Sequence, residues 1–178
     1  MRNTAFLALG FALLVIQSNL YRLVDLFHVS GATPTLLLPL VVFMGVHEYS
    51  IARGAALSFV LGYFLDLFAA SPVGLFTFIS VATFLVARVA GVRLAAQTLL
   101  TKIALAFAFA LLEGVLLVVL TAIFGGDPLR SRSLAVIVPA HAISTALVAP
   151  FVFRIAERIH LATIASPAHP DARGGGRA

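Results

Sequence analysis

Three ionisable side chains stand inside long apolar stretches and are the strongest candidates for chemistry: Asp66, Glu113 and His141. A charged group at the bilayer centre costs about 2.5–3.5 kcal/mol, so each needs a partner or a function. At about 1.5 Å of rise per helical residue, Asp66 and His141 fall at similar depth, and a hydrogen-bonded pair would offset part of that cost. The alternative is that each bonds separately to backbone, to Ser or Thr, or to water. For Glu113 a proton-relay role is an open hypothesis that rests on one isolated carboxyl.

A stripe of small residues with a period of four runs through the third apolar stretch. Its members are Gly54, Ser58, Gly62, Asp66 and Ala70. Residues four apart share one helix face, and small side chains let helix backbones approach closely where lipid gives no hydrophobic drive. The stripe is therefore predicted to face protein and not lipid. The same spacing beside Glu113 is formed by Ala106, Ala110 and Gly114. The two stripes are candidate partners of each other.

The composition excludes the water-soluble classes of protein. Of 178 residues, 61% are hydrophobic and 11% are charged, and there is no Cys. Soluble domains have about 45–50% apolar and about 25% charged residues, and a chain this short cannot bury such an excess in water. A net charge of +5 would suit nucleic acid, but the basic residues flank the apolar runs, as in membrane proteins. We therefore predict an all-α polytopic integral membrane protein that binds no nucleic acid.

Six apolar stretches are predicted as transmembrane helices, each needing about 17–25 residues. They cover about residues 4–21, 33–49, 54–70, 74–90, 99–124 and 134–153. With the N-terminus inside, nine of the twelve Lys and Arg residues are on the inner side; the outer loops hold Arg22, Arg130 and Arg132. The positive-inside rule then makes both termini cytoplasmic. The membrane domain is predicted over residues 1–160, and a disordered cytoplasmic tail over 161–178.

No motif for catalysis, for a metal or for a cofactor is found. The chain has no H-E-x-x-H, Walker A or G-x-S-x-G pattern. His47 and Glu48 are adjacent and therefore do not share a helix face, as two metal ligands would. Ser58 and His141 fall at opposite depths, which argues against an intramembrane serine dyad. We expect no enzyme, no metal and no cofactor.

The stretch from Pro34 to about Ala90 resembles the rod-shape-determining protein MreD family. Its core is GYFLDLFAASPVGL, residues 62–75, which is similar to the family pattern of G-x-x-x-D, a small-residue stretch and P-x-G. The pattern positions are held by Gly62, Asp66, Pro72 and Gly74. The first, fifth and sixth stretches resemble the family in hydropathy alone.

This resemblance implies a non-catalytic scaffold of the bacterial cell-elongation machinery, embedded in the lipid of the inner membrane. Such a protein binds MreC directly, and through it MreB, RodZ, RodA and a class B penicillin-binding protein, in support of cell shape and peptidoglycan synthesis. On these residues, Asp66 would brace the outer turn and Pro72 would stiffen it. Gly74 would relieve the backbone of the turn, and Gly62 would permit close approach of another helix.

The family fold is similar to the substrate-binding subunits of energy-coupling-factor transporters, which also have six helices. The alternative function is therefore a vitamin- or metal-binding transporter subunit. That function requires a pocket with convergent polar and aromatic groups. The predicted outer loops offer few such groups.

Overall fold

Six α-helices make up the part of the chain that the structure, a computed structural model, describes. The described residues are 2–26, 33–47, 50–69, 72–91, 98–124 and 128–164. The helices are α1 (Arg2–Leu26), α2 (Leu37–Val46), α3 (Ile51–Ala69), α4 (Leu75–Gly91), α5 (Leu99–Phe124) and α6 (Pro128–Ile164). These ranges contain no strand, and the all-α prediction is confirmed.

The helices differ in whether they are long enough to cross a membrane. By length and composition α1, α3, α5 and α6 could do so. The 17 residues of α4 extend about 25 Å and the 10 residues of α2 about 15 Å, against a hydrocarbon core of about 30 Å. The predicted second span, residues 33–49, is thus corrected to a short helix. Pro39 is the third residue of α2, in the first turn, where a proline removes no hydrogen bond of the helix.

Helix α2 lies at the centre of the bundle. Its residues from Leu37 to Gly45 are all buried, and it contacts each of the other five helices. A helix that is apolar on every side is expected in such an enclosed position. Because α2 is surrounded by protein, the bilayer thickness does not set its length.

Four of the remaining helices form two antiparallel hairpins around α2, α3 with α4 and α5 with α6, and α1 contacts α3 and α6. These two pairs have the most extensive helix contacts. In the described parts of the chain the backbones of α3 and α5 do not approach each other; each of them packs against α2 and α4 instead. The predicted pairing of the two small-residue stripes is therefore wrong. The stripe of α3 meets α4, and Gly114 of α5 meets Val138 of α6.

Large apolar side chains cover the outside of the bundle. Val136, Phe124 and Leu100 are 80%, 79% and 76% exposed. Water-soluble monomers rarely carry so much apolar surface, whereas hydrocarbon solvates it without cost. The outer surface is that of a membrane-embedded protein.

The last helix is longer than predicted at both ends. It begins at Pro128 and not near residue 134, so positions 130 and 132 are helical and not in a loop. Position 22, also predicted in a loop, is part of α1. At the other end α6 continues to Ile164, past the boundary predicted at residue 160. The rest of the predicted tail, residues 165–178, lies outside the described residues.

Candidate functional site

The carboxylate of Asp66 forms a hydrogen-bonded corner between α3 and α4. Oδ2 accepts from the Gly74 N–H at 2.9 Å, the Thr77 N–H at 3.2 Å and the Thr77 hydroxyl at 2.6 Å; Oδ1 accepts from the Phe76 N–H at 2.8 Å. The first N–H groups of a helix have no partner within it, and a negative charge there is favoured by the helix dipole. Asp66 therefore caps α4 from the neighbouring helix. Because Asp66 is only 1% exposed, these donors offset its burial.

A tight turn precedes α4 at the same corner. The Leu75 N–H donates to the Pro72 carbonyl at 3.2 Å, and Gly74 has φ +101°. Residues with a side chain rarely adopt that backbone conformation, whereas glycine adopts it without a steric penalty. Gly74 thus lets the chain reverse and presents its N–H to Asp66.

The backbones of α3 and α4 touch one turn before Asp66. A Cβ on Gly62 would lie 2.7 Å from the Thr77 Cα and 2.9 Å from the Phe76 carbonyl oxygen. The stripe members Gly54, Ser58, Gly62 and Asp66 are all buried, as predicted; Ala70 lies outside the described residues. The structure therefore brings Gly62, Asp66, Pro72 and Gly74 together at one corner.

The hydrogen bonds of Asp66 and His141 lead to different partners. His141 Nε2 lies 2.7 Å from the Thr35 hydroxyl, and His141 also bonds to the Thr33 backbone. Of the two sequence hypotheses for these side chains, the contacts support separate partners.

An unwound segment, residues 33–36, lies between α1 and α6 and leads into α2. The Thr35 N–H donates to Thr145 Oγ1 at 3.1 Å, and the Leu36 N–H donates to Gln17 Oε1 at 2.9 Å. Non-helical backbone at membrane depth is tolerated where it is enclosed by protein or lines a cavity, because its polar groups need partners. This role of Gln17 was not predicted from the sequence. The signal was Pro34, which disfavours helix at the residue before it within a buried stretch.

Replacing Thr145 with valine tests how far this segment depends on side-chain acceptors. The change keeps the volume of a fully buried side chain but leaves the Thr35 N–H without its acceptor. We expect the free energy of unfolding to fall by about 1–3 kcal/mol. Titration with SDS in mixed micelles, followed by circular dichroism, measures it.

Ser144→Ala is the matched control for this change. The Ser144 hydroxyl donates to the His141 carbonyl of its own helix, at 2.9 Å. Loss of such a local bond should change stability by less than about 0.5 kcal/mol. Equal effects of the two variants would contradict a special role for the unwound segment.

A cavity of about 490 Å³ opens between α1, the unwound segment, α3, α5 and α6. Its polar lining residues are Gln17, Ser18, Thr33, Thr35, Glu113 and His141. Glu113 is 7% exposed, and its Oε2 has no hydrogen-bond partner. Glu113 also borders a cavity of about 10 Å³ beside Ser80 and Thr83, a space of about one water molecule.

A protein metal site requires several ligating side chains close together. Among the described residues, no three His, Asp or Glu side chains come together as a metal site would require. The ion pair Lys102–Glu157, at 3.3 Å, lies at the opposite end of the bundle from the Asp66 corner. The site therefore consists of a corner held rigid by hydrogen bonds and, beside the cavity, a carboxyl without a hydrogen-bond partner.

Fold and site together define an all-α protein of apolar helices, four of them able to cross a membrane, in which polar side chains hold a corner and an unwound segment. The chain matches no family model, no curated protein and no solved structure.

Proposed function

We propose that this protein is a non-catalytic scaffold of the bacterial cell-elongation machinery, situated in the inner membrane, where it binds MreC. One observation supports the proposal beyond the resemblance itself. The four residues that carry the resemblance, Gly62, Asp66, Pro72 and Gly74, meet at one corner. The described contacts of the Asp66 carboxylate all hold backbone and one hydroxyl in place, which suits a rigid surface better than proton transfer.

The hairpin of α3 and α4 offers surfaces that fit a partner with one transmembrane helix and an outer domain. Val73, at the tip of the turn, is 73% exposed. Along α3, on a face about 100° around the helix from the small-residue stripe, Phe59, Tyr63 and Leu67 are exposed at intervals of four and form an apolar ridge. Van der Waals packing is one of the forces by which transmembrane helices associate, and these side chains offer it to a partner helix. In this proposal MreC packs on the ridge and contacts the tip, and links the protein to MreB, RodZ, RodA and a class B penicillin-binding protein.

Co-purification with MreC tests the scaffold. Val73→Asp places a charge on the exposed tip and touches no packed residue, so the bundle should keep its elution volume on size exclusion. We expect recovery of MreC to fall about fivefold or more, since an interface anchor contributes more than about 1 kcal/mol. Asp66→Leu, which removes the brace of the corner, should also lower recovery.

Arg130→Ala is the control for both variants and should recover MreC as the unchanged protein does. Equal recovery of MreC with Asp66→Leu and with Arg130→Ala, at equal expression, would contradict the proposed role of the corner.

The cavity favours the alternative, a substrate-binding subunit of an energy-coupling-factor transporter. Its volume of about 490 Å³ lies within the range of about 300–1,000 Å³ for small-molecule sites. Affinity purification from native membranes separates the two functions. A co-eluting pair of ATP-binding subunits supports the transporter, and a coiled-coil partner supports the scaffold.

A further inference from the structure

We propose that the 490 Å³ cavity binds a small, mainly apolar molecule carrying one hydrogen-bond donor, an O–H or N–H group, which the Glu113 carboxyl accepts. This site goes beyond the scaffold function and does not depend on it. The inference rests on the lining, on the unpartnered carboxyl and on the unwound backbone beside the cavity.

The lining sets the body of the ligand. Most of the wall is apolar and comes from several helices: Leu14, Leu65, Phe68, Leu117, Leu134 and Val138. Binding of a ligand's apolar part there removes from water both the apolar surface of the ligand and that of the cavity wall. Pockets of this size usually combine such walls with a few polar groups that fix orientation.

The polar side of the cavity determines the ligand's functional group. Gln17 already accepts from the Leu36 N–H, and Thr35 and His141 bond to each other. Glu113 is different, because it lines the cavity and is more than nine-tenths buried, and no hydrogen bond reaches its carboxyl. A ligand O–H or N–H in the cavity gives this carboxyl a donor and so lowers the cost of burying it.

The backbone beside the cavity also points to a ligand. Thr33, Pro34 and Thr35 line it and are not helical. In membrane proteins, non-helical backbone within the bundle occurs where it is enclosed by protein or lines a cavity. The side chains that hold the unwound segment therefore also keep the cavity open.

A fluorescent probe pair tests the donor. N-phenyl-1-naphthylamine is apolar with a single N–H, and its N-methyl analogue lacks that N–H. With the purified protein in dodecyl maltoside, we expect saturable binding with about tenfold preference for the N–H probe. Glu113→Leu removes an unpartnered buried carboxyl, so it should fold and bind both probes equally. Preference retained in Glu113→Leu would overturn the assignment of the acceptor.

Cavity-filling variants test whether the probe binds in this cavity. Leu117→Trp and Ile137→Trp put a large ring into the lining, and each should abolish saturable binding. Val119→Trp, at a position that is 45% exposed on the same helix as Leu117, should leave it unchanged. Size exclusion checks the folding of each variant, and either filling variant is sufficient if the other aggregates. Equal uptake by all three would mean partition into micelles and would overturn the site. So would a co-purified phospholipid that the N–H probe does not displace.

Discussion

Asp66→Leu is expected to lower the free energy of unfolding by about 3–4 kcal/mol, the largest effect of any single polar substitution at the corner. The change leaves three N–H groups and one hydroxyl at the start of α4 without their acceptor. Leucine cannot accept hydrogen bonds, and the side chain at this position is buried. The unfolding midpoint in SDS titrations, followed by circular dichroism, measures the loss.

Two further substitutions separate the hydrogen bonds of the corner from helix propensity and packing. Thr77→Val removes the hydroxyl that donates to Oδ2 at 2.6 Å and should cost about 1 kcal/mol. Leu67→Ala, next to Asp66 but 55% exposed, should cost less than about 0.5 kcal/mol. If Asp66→Leu unfolds at the same SDS fraction as Leu67→Ala, the carboxylate does not hold the corner.

Composition and periodicity were sufficient to predict much of this fold. The apolar excess requires helices, because only helices satisfy the backbone within a single apolar segment. The four-residue period of Gly54, Ser58 and Gly62 located the buried face of α3, since that period defines one helix face. The fifth apolar stretch was predicted to be a helix over residues 99–124, which agrees with α5 (Leu99–Phe124).

The central position of α2 could not be obtained from hydropathy. Apolar residues that face lipid and apolar residues that face protein have the same hydropathy, so a buried helix looks like a span. Only its shortness and Pro39 separated α2 from the other stretches. For the same reason the partner of each small-residue stripe remained open, and the expected contact of α3 with α5 was wrong.

The sequence predicted how deep the polar residues lie along their helices, but not which partners their side chains face. Counting residues placed Asp66 near the turn that it holds, because the turn follows it closely along the chain. The partner of His141, Thr35, lies 106 residues away along the chain. The partner of Gln17, Leu36, lies 19 residues away. Such contacts depend on how helices rotate about their axes, which spacing alone does not specify. The cavity has several helices as walls and leaves no local pattern in the sequence.

Substitution of Gly62 is expected to have the second large effect. In Gly62→Ala the new Cβ would meet the Thr77 Cα at 2.7 Å and the Phe76 carbonyl oxygen at 2.9 Å. These are backbone atoms of a helix, and they can yield only if α4 moves away from α3. Overpacking of this kind costs about 1–3 kcal/mol, and Gly62→Leu should cost at least as much. The same SDS titration measures both variants.

Gly10→Ala is the matched control for Gly62→Ala, because the atoms nearest to a Cβ there belong to the side chain of Leu61, at 2.5–3.2 Å, and not to backbone. A side chain can change rotamer, so we expect a smaller loss of stability than at Gly62. Displacement of α4 would also stretch the hydrogen bonds of Asp66, which lies one turn further along α3. Asp66→Asn and Gly62→Ala should therefore destabilise the double variant by less than the sum of their separate effects, since each weakens the same contact. Additive losses would mean that close packing and capping act independently, and that Gly62 is not needed for the corner to form.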